Sequence, residues 1–255
     1  MRSALRGCRI DLLLLSNSTN YGQRMFAHAA EAFAEVAAGS RVTFIPFALA
    51  EWDDYAYRAE AAFGAFGVEL VSAHRAPDPA RAILEAEVVM MGGGNTFRLL
   101  DTLAGLGVLD GLGRRVRAGE TRYLGASAGT NVACPTIRTT NDMPICQPVT
   151  FDALGLIPFQ INLHYVDPDP ASTFMGETRE ERITEFLEEN PCPVLALYEG
   201  SWLRVSKGKA TVTGPSRLFQ RSGPEAFDDG LDISHLLDLT PRFDRGRRPY
   251  ERPAG

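Results

Sequence analysis

Along the chain, short runs of consecutive apolar residues alternate with longer stretches in which apolar positions recur at helical spacing. Residues 10–15 (IDLLLL) predict a buried strand, closed by the polar turn Ser16-Asn17-Ser18-Thr19. An Ala-rich stretch over 25–38 predicts a helix, 41–48 (RVTFIPFA) a second strand, 53–66 a second helix and 68–72 a third strand. A short helix over 78–85 leads to a fourth strand over 88–91, which Gly92-Gly93-Gly94-Asn95 breaks. Helices over 96–103 and 107–118 precede a short strand at Tyr123-Leu124 that ends at Gly125. These strands are apolar along their length rather than alternating, so both faces are covered, as in a parallel sheet between helices. Right-handed crossovers then give an α/β, doubly wound, mostly parallel sheet with helices on both faces. Ligands of such sheets sit beyond the carboxyl ends of the strands. Both Gly92–Asn95 and the 125–129 segment fall at such ends.

The second half is less regular. A strand over 160–163, a helix over 178–189 (TREERITEFLEE) and a strand over 194–197 follow from the same patterns. Strands over 202–205 and 210–213 flank Ser206-Lys207-Gly208-Lys209 and read as a hairpin. Nothing divides the chain, so 1–240 reads as a single α/β domain, and the Arg-, Pro- and Gly-rich segment 241–255 as a disordered tail.

Composition narrows the function class. With 255 residues, 45% hydrophobic and 23% charged, the chain is an ordinary globular protein. A net charge of -6 speaks against a nucleic-acid-binding face. Arg242, Arg245, Arg247, Arg248 and Arg252 cluster in the tail rather than along a groove. No apolar run reaches membrane-spanning length, and no signal-like segment follows Arg2 and Arg6. Cys8, Cys134, Cys146 and Cys192 show no metal-ligand spacing. The expectation is a cytoplasmic protein with reduced thiols, no metal, and neither nucleic-acid nor membrane partners.

The candidate chemistry begins at Gly125-Ala126-Ser127-Ala128-Gly129. A strand, then G-x-S-x-G, then a helix is a nucleophile elbow: small neighbours let strand and helix approach, and the turn lifts the serine hydroxyl above the sheet. The helix start aims free N–H groups and a partial positive charge at the same point, so the Ala128 N–H is a candidate oxyanion donor. Taken alone the pentapeptide also suits an ordinary helix start. A base is needed, and the chain has four histidines, His28, His74, His164 and His235. His28 and His235 read as peripheral. His74 follows the third strand, and His164 ends QINLH just before YVDPDP, at the rim expected for Ser127. Glu199 closes the strand VLALYEG and is the candidate acid that holds the base's tautomer. The glycines of MMGGGN offer a second oxyanion donor. No Walker or dinucleotide fingerprint favours a phosphate loop there.

Taken together, MGGGNTF, GASAGTNVACPTIRTTNDMPI, INLH and GETREERI, with LLLLSNST and FIPFA upstream, resemble the peptidase E (α-aspartyl dipeptidase) family from about residue 10 to about residue 215. The resemblance implies a flavodoxin-like fold related to class I glutamine amidotransferases, with serine in place of their cysteine. It also implies hydrolysis of dipeptides with an N-terminal aspartate, with no metal and no cofactor, the partner being a small peptide substrate and a homodimer one option for assembly. By position, Ser127 matches the nucleophile, His164 the base and Glu199 the third triad member. Gly94 and Ala128 match the oxyanion donors, Asp142 of TTNDMP an acid near the site, and Arg179 of GETR a grip for the substrate carboxylate. Two positions depart from the pattern: Ala126 stands where Trp is frequent, and Tyr198 where Pro is frequent. Two rival readings are a cyanophycinase-like β-aspartyl peptidase and a catalytically silent binding protein on the same scaffold. The presence of serine, histidine and acid together speaks against the silent one.

Overall fold

A computed structural model describes residues 10–173, 175–241 and 243. The first half runs β1 (Asp11–Leu15), α1 (Ala30–Ala37), β2 (Val42–Ile45), α2 (Trp52–Gly64), β3 (Leu70–Ser72), α3 (Pro79–Leu84), β4 (Val88–Met91), α4 (Thr96–Gly105), α5 (Leu109–Ala118), β5 (Arg122–Ala126) and α6 (Ala128–Ala133). The second half adds β6 (Gln160–Asn162), α7 (Arg179–Glu189), β7 (Val194–Leu197), β8 (Trp202–Ser206), β9 (Lys209–Thr213), β10 (Ser216–Gln220) and β11 (Gly223–Phe227).

The larger sheet has seven strands in the order β3-β2-β4-β5-β1-β8-β9. Its first five strands are parallel, and β8 and β9 extend it antiparallel. Along β1 successive leucines take opposite faces. Leu13 and Leu15 pack with Phe33 of α1 and Tyr55 and Phe63 of α2, while Leu12 and Leu14 pack with Leu99 and Leu103 of α4 and Val116 of α5. A strand covered on both sides needs no polar face, which is why its sequence does not alternate. This is the doubly wound, mostly parallel α/β arrangement expected, consistent with a flavodoxin-like fold.

A second sheet of four strands, β11-β10-β7-β6, was not expected as a separate unit. Leu195, Leu197 and Ile161 join the core on the α4–α6 side of the larger sheet, and α7 covers the other face through Ile183 and Leu187. Strand β11 (GPEAF) escapes sequence reading because it carries only exposed or half-exposed residues. Its Pro224 is tolerated because β11 is an edge strand.

Two further boundaries differ from the expectation. The helix expected over 25–38 begins only at Ala30, after a 3-10 turn at Ala27–Ala29. Phe26, at φ 61, is left-handed, and its buried ring packs edge-on against Phe33 and Phe63 at 4.9 and 5.5 Å. Aromatic packing thus overrides Ala-rich helix propensity there. In the β8–β9 hairpin, Lys207 and Gly208 both take positive φ, 51 and 76, giving a two-residue turn of the type that suits strand twist. The tail expected over 241–255 lies outside the described residues, apart from Pro241 and Phe243.

Candidate active site

Five strand ends meet at one rim: Ser16 follows β1, Gly92 follows β4, Ser127 follows β5, and His164 and Glu199 lie just beyond β6 and β7. Ser127 sits at φ 50, ψ −112, a strained backbone for a residue with a side chain. Its carbonyl accepts the N–H groups of Thr130 and Asn131 at 2.8 and 3.0 Å and so starts α6. The two glycines of the elbow are required by contact. A Cβ on Gly125 would lie 2.9 Å from the Gly129 backbone, and one on Gly129 would lie 2.2 Å from the Met91 carbonyl oxygen.

Ser127 Oγ is 3.0 Å from His164 Nε2, and His164 Nδ1 is 3.1 Å from Glu199 Oε1. His164 also has positive φ, 51. The buried Ser16 holds it: the Ser16 hydroxyl accepts the His164 N–H at 2.9 Å and donates to the Leu197 carbonyl at 3.0 Å. One hydroxyl at the end of β1 therefore fixes the backbones that carry His164 and Glu199. Asn17 adds a bond from the Gly200 N–H to its Oδ1 at 2.8 Å. Tyr198, the residue at the departure from the family pattern, packs on Tyr165 at 5.1 Å and donates to Asp167. Neither Ser16 nor Asn17 was singled out by sequence, although the SNST turn after the first strand was visible, and Tyr198 was noted only as a departure from the family pattern.

Beside Ser127, the Gly92 N–H is used by Ile45 O at 3.3 Å. Burial pushes the Tyr55 phenol up to about 12, while the Gly93 amide hydrogen-bonded to its oxygen and the Arg58 charge pull the other way. With Gly92 and Gly93 committed, the Gly94 N–H has no hydrogen-bond acceptor among the described residues. Gly94 needs its left-handed φ of 134 and lacks room for a Cβ, which would meet Ala48 O at 2.6 Å. The Ala128 N–H, first in α6, has no acceptor within the helix.

Asp142 Oδ2 accepts from the Thr96 N–H at 2.7 Å and the Thr96 hydroxyl at 2.5 Å, so it caps α4. The same TTND segment braces β6 just before His164, through Asn141 Nδ2 to Leu163 O at 2.7 Å and Thr139 Oγ1 to Ile161 O at 3.0 Å. Arg179 is half-buried at the start of α7. Burial pulls its guanidinium below the ordinary value and Arg182 adds to this, while Asp142 opposes it, which places Asp142 within electrostatic reach. Among the described residues Arg179 forms no ion pair.

The other histidines stand elsewhere. His74 is held between Ser72 Oγ at 2.7 Å and Asp53 Oδ1 at 3.1 Å, but Ser72 is a buried strand residue on no elbow. His28 lies near Trp202, and His235 in the 3-10 turn Ser234–Asp238. The triad-like contacts line a cleft of 310 Å³. A larger open hollow of 970 Å³ lies over the β3 edge. It is distant in the fold from Ser127, and its arginines are already paired, Arg75 with Asp53 and Glu60 at 2.9 and 2.8 Å. Among the described residues no group of three or more His, Cys, Asp or Glu could hold a metal ion, and no helix is long and apolar enough to cross a membrane.

The geometry can be set beside known proteins. A family model, peptidase family S51, matches residues 12–213. Peptidase E of Streptomyces coelicolor is 50% identical over 243 residues, covering 94% of this chain and all of that one (100%). Peptidase E of Citrobacter koseri is 47% identical over 222 residues, covering 85% of this chain and 96% of that one. Among solved structures, a peptidase from an acI-B1 actinobacterium superposes with a TM-score of 0.66 at 14% identity, covering 89% of this chain and 98% of that one, a likeness of fold alone. Matched by the family model over most of its length, and by these relatives over nearly all of theirs, the chain belongs to peptidase family S51.

Proposed function

We propose that the protein hydrolyses dipeptides with an N-terminal aspartate, through an acyl-enzyme on Ser127. The observation that carries this reading is the pair of contacts from Ser127 Oγ to His164 Nε2 at 3.0 Å and from His164 Nδ1 to Glu199 Oε1 at 3.1 Å. Both lie within the reach required for proton transfer between a nucleophile and its base. The family membership and the peptidase E relatives support a peptidase function.

In this reading His164 Nε2 takes the Ser127 proton as Oγ attacks the scissile carbonyl carbon. Glu199 holds the imidazole with Nδ1–H directed at its carboxylate and stabilises the imidazolium that forms. The carbonyl oxygen, now an anion, takes hydrogen bonds from the Ala128 and Gly94 N–H groups. A donor of this kind is worth ~3 kcal/mol in the transition state. His164 then gives its proton to the leaving nitrogen, the C–N bond breaks, and the amine departs. A water, deprotonated by His164, releases aspartate from Ser127. Arg179 binds the aspartate side-chain carboxylate, which a guanidinium can grip with two parallel bonds. Asp142 accepts from the substrate's α-ammonium through the carboxylate oxygen not committed to Thr96, so that a free N-terminus is read.

A panel of dipeptides assayed with the native enzyme and its Ser127→Ala form tests the reading. Asp-Leu should be cleaved and Ala-Leu and Glu-Leu spared, with Ser127→Ala about 10⁴-fold slower or worse. Release of dipeptide from β-aspartyl-arginine polymer, without cleavage of Asp-Leu, would contradict it.

A further inference from the structure

We infer that Arg58 is the site for the free C-terminal carboxylate of the substrate, on the leaving-group side of the scissile bond. The inference rests on the Asp-X reading above and adds what recognises the other end of the dipeptide. Arg58 lines the same 310 Å³ cleft as Ser127, His164, Glu199 and Gly94, and it is the only Lys or Arg among the lining residues. The only carboxylate there, Glu199, is engaged with His164.

Its placement rests on a ring contact and an ion pair. The Arg58 guanidinium lies over the Tyr55 ring, 5.5 Å from its centroid, a cation–π arrangement. Tyr55 is buried, and its hydroxyl abuts the glycine loop, so that a Cβ on Gly92 would lie 2.4 Å from it. A Cβ on Gly93 would in turn lie 3.1 Å from the Ser127 Cβ. Tyr55 is thus a stiff spacer, with one end against the loop beside the nucleophile and the cation stacked on its face.

Asp54 occupies only the Nε edge of the guanidinium, at 3.0 Å. Among the described residues the two terminal nitrogens form no hydrogen bond. These are the paired donors that fit a carboxylate in a fork. In a dipeptide the C-terminal carboxylate is only two bonds beyond the leaving nitrogen, so a cation that lines the same cleft as the nucleophile can meet it. Arg179 and Asp142 are offered to the aspartyl end, so in this reading the two arginines serve different ends of the substrate. A longer peptide places an amide where the dipeptide has its carboxylate, so Arg58 favours dipeptides.

The test compares kcat/KM for Asp-Leu and for Asp-Leu amide in the native enzyme, Arg58→Gln and Arg58→Lys. The native enzyme should prefer the free acid by about tenfold or more, chiefly through KM, as expected for a charge-assisted contact. Arg58→Gln should bring that ratio to about one, and Arg58→Lys should fall between. Equal cleavage of both by the native enzyme, or a preference that survives in Arg58→Gln, overturns the role of Arg58 and leaves the Asp-X reading standing. Cleavage of neither by the native enzyme overturns both.

Discussion

Arg179 occupies a position that stability alone would not choose. It is the first residue of α7, where the helix dipole presents its positive end, and Arg182 adds like charge. Partial burial makes that charge costlier still, and in the proposed reading the substrate carboxylate offsets that cost. Arg179→Met should lower kcat/KM for Asp-Leu about 100-fold. Cleavage of an uncharged dipeptide ester should fall much less, and the Tm should not drop. Equal losses on both substrates would show that Arg179 does not read the aspartate. At this scale much of the site was legible in the sequence. Ser127, His164 and Glu199 each follow the end of an apolar strand, the place where ligands of such sheets sit, although the strands belong to two sheets. Ser16 was not legible, because the backbones it bonds lie 148 and 181 residues away. Tyr55 and Arg58 were hidden for another reason: DDYAYR reads as part of an amphipathic helix, and nothing in its period distinguishes a core tyrosine from one that buttresses a glycine loop.

The strand–elbow–helix unit is where local sequence and function are most tightly joined. Gly129 lets α6 start directly against β4, and Gly125 lets β5 end against the first turn of α6. Gly129→Ala would drive a methyl group to 2.2 Å from the Met91 carbonyl oxygen, so backbone must move. A cost of about 3 kcal/mol is expected, or a fall in Tm of about 6–12 °C by thermal unfolding. A Tm within a degree of the native protein would mean that the elbow is looser than these contacts indicate. The elements around this unit were read with uneven success, and for physical reasons. Central strands buried on both faces announce themselves as unbroken apolar runs, as Val88–Met91 and Val194–Leu197 do. The edge strand β11 has no buried face to announce, and the start of α1 is set by the Phe26 ring packing rather than by its alanines.

Across the whole molecule, the candidate catalytic groups are divided between two sheets. Ser127 rides on the seven-stranded sheet, while His164 and Glu199 extend from the four-stranded one. Their alignment therefore depends on how the sheets are joined: by a shared core through Leu197 and Ile161, by the Ser16 hydroxyl, and by the TTND segment against β6. The mostly parallel sheet was visible in the sequence as alternating strands and helices. The second sheet was not, since its pairing of β6, β7, β10 and β11 is a matter of long-range register. Groups that act as one unit across such a joint lose their effect together. The most direct measurement is kcat/KM for Asp-Leu in Ser127→Ala, His164→Ala and the double variant. Each single change should cost about 10⁴-fold or more, and the double variant should be no slower than the slower single one. Ser127→Ala within tenfold of the native enzyme, or losses that multiply in the double variant, would contradict the account.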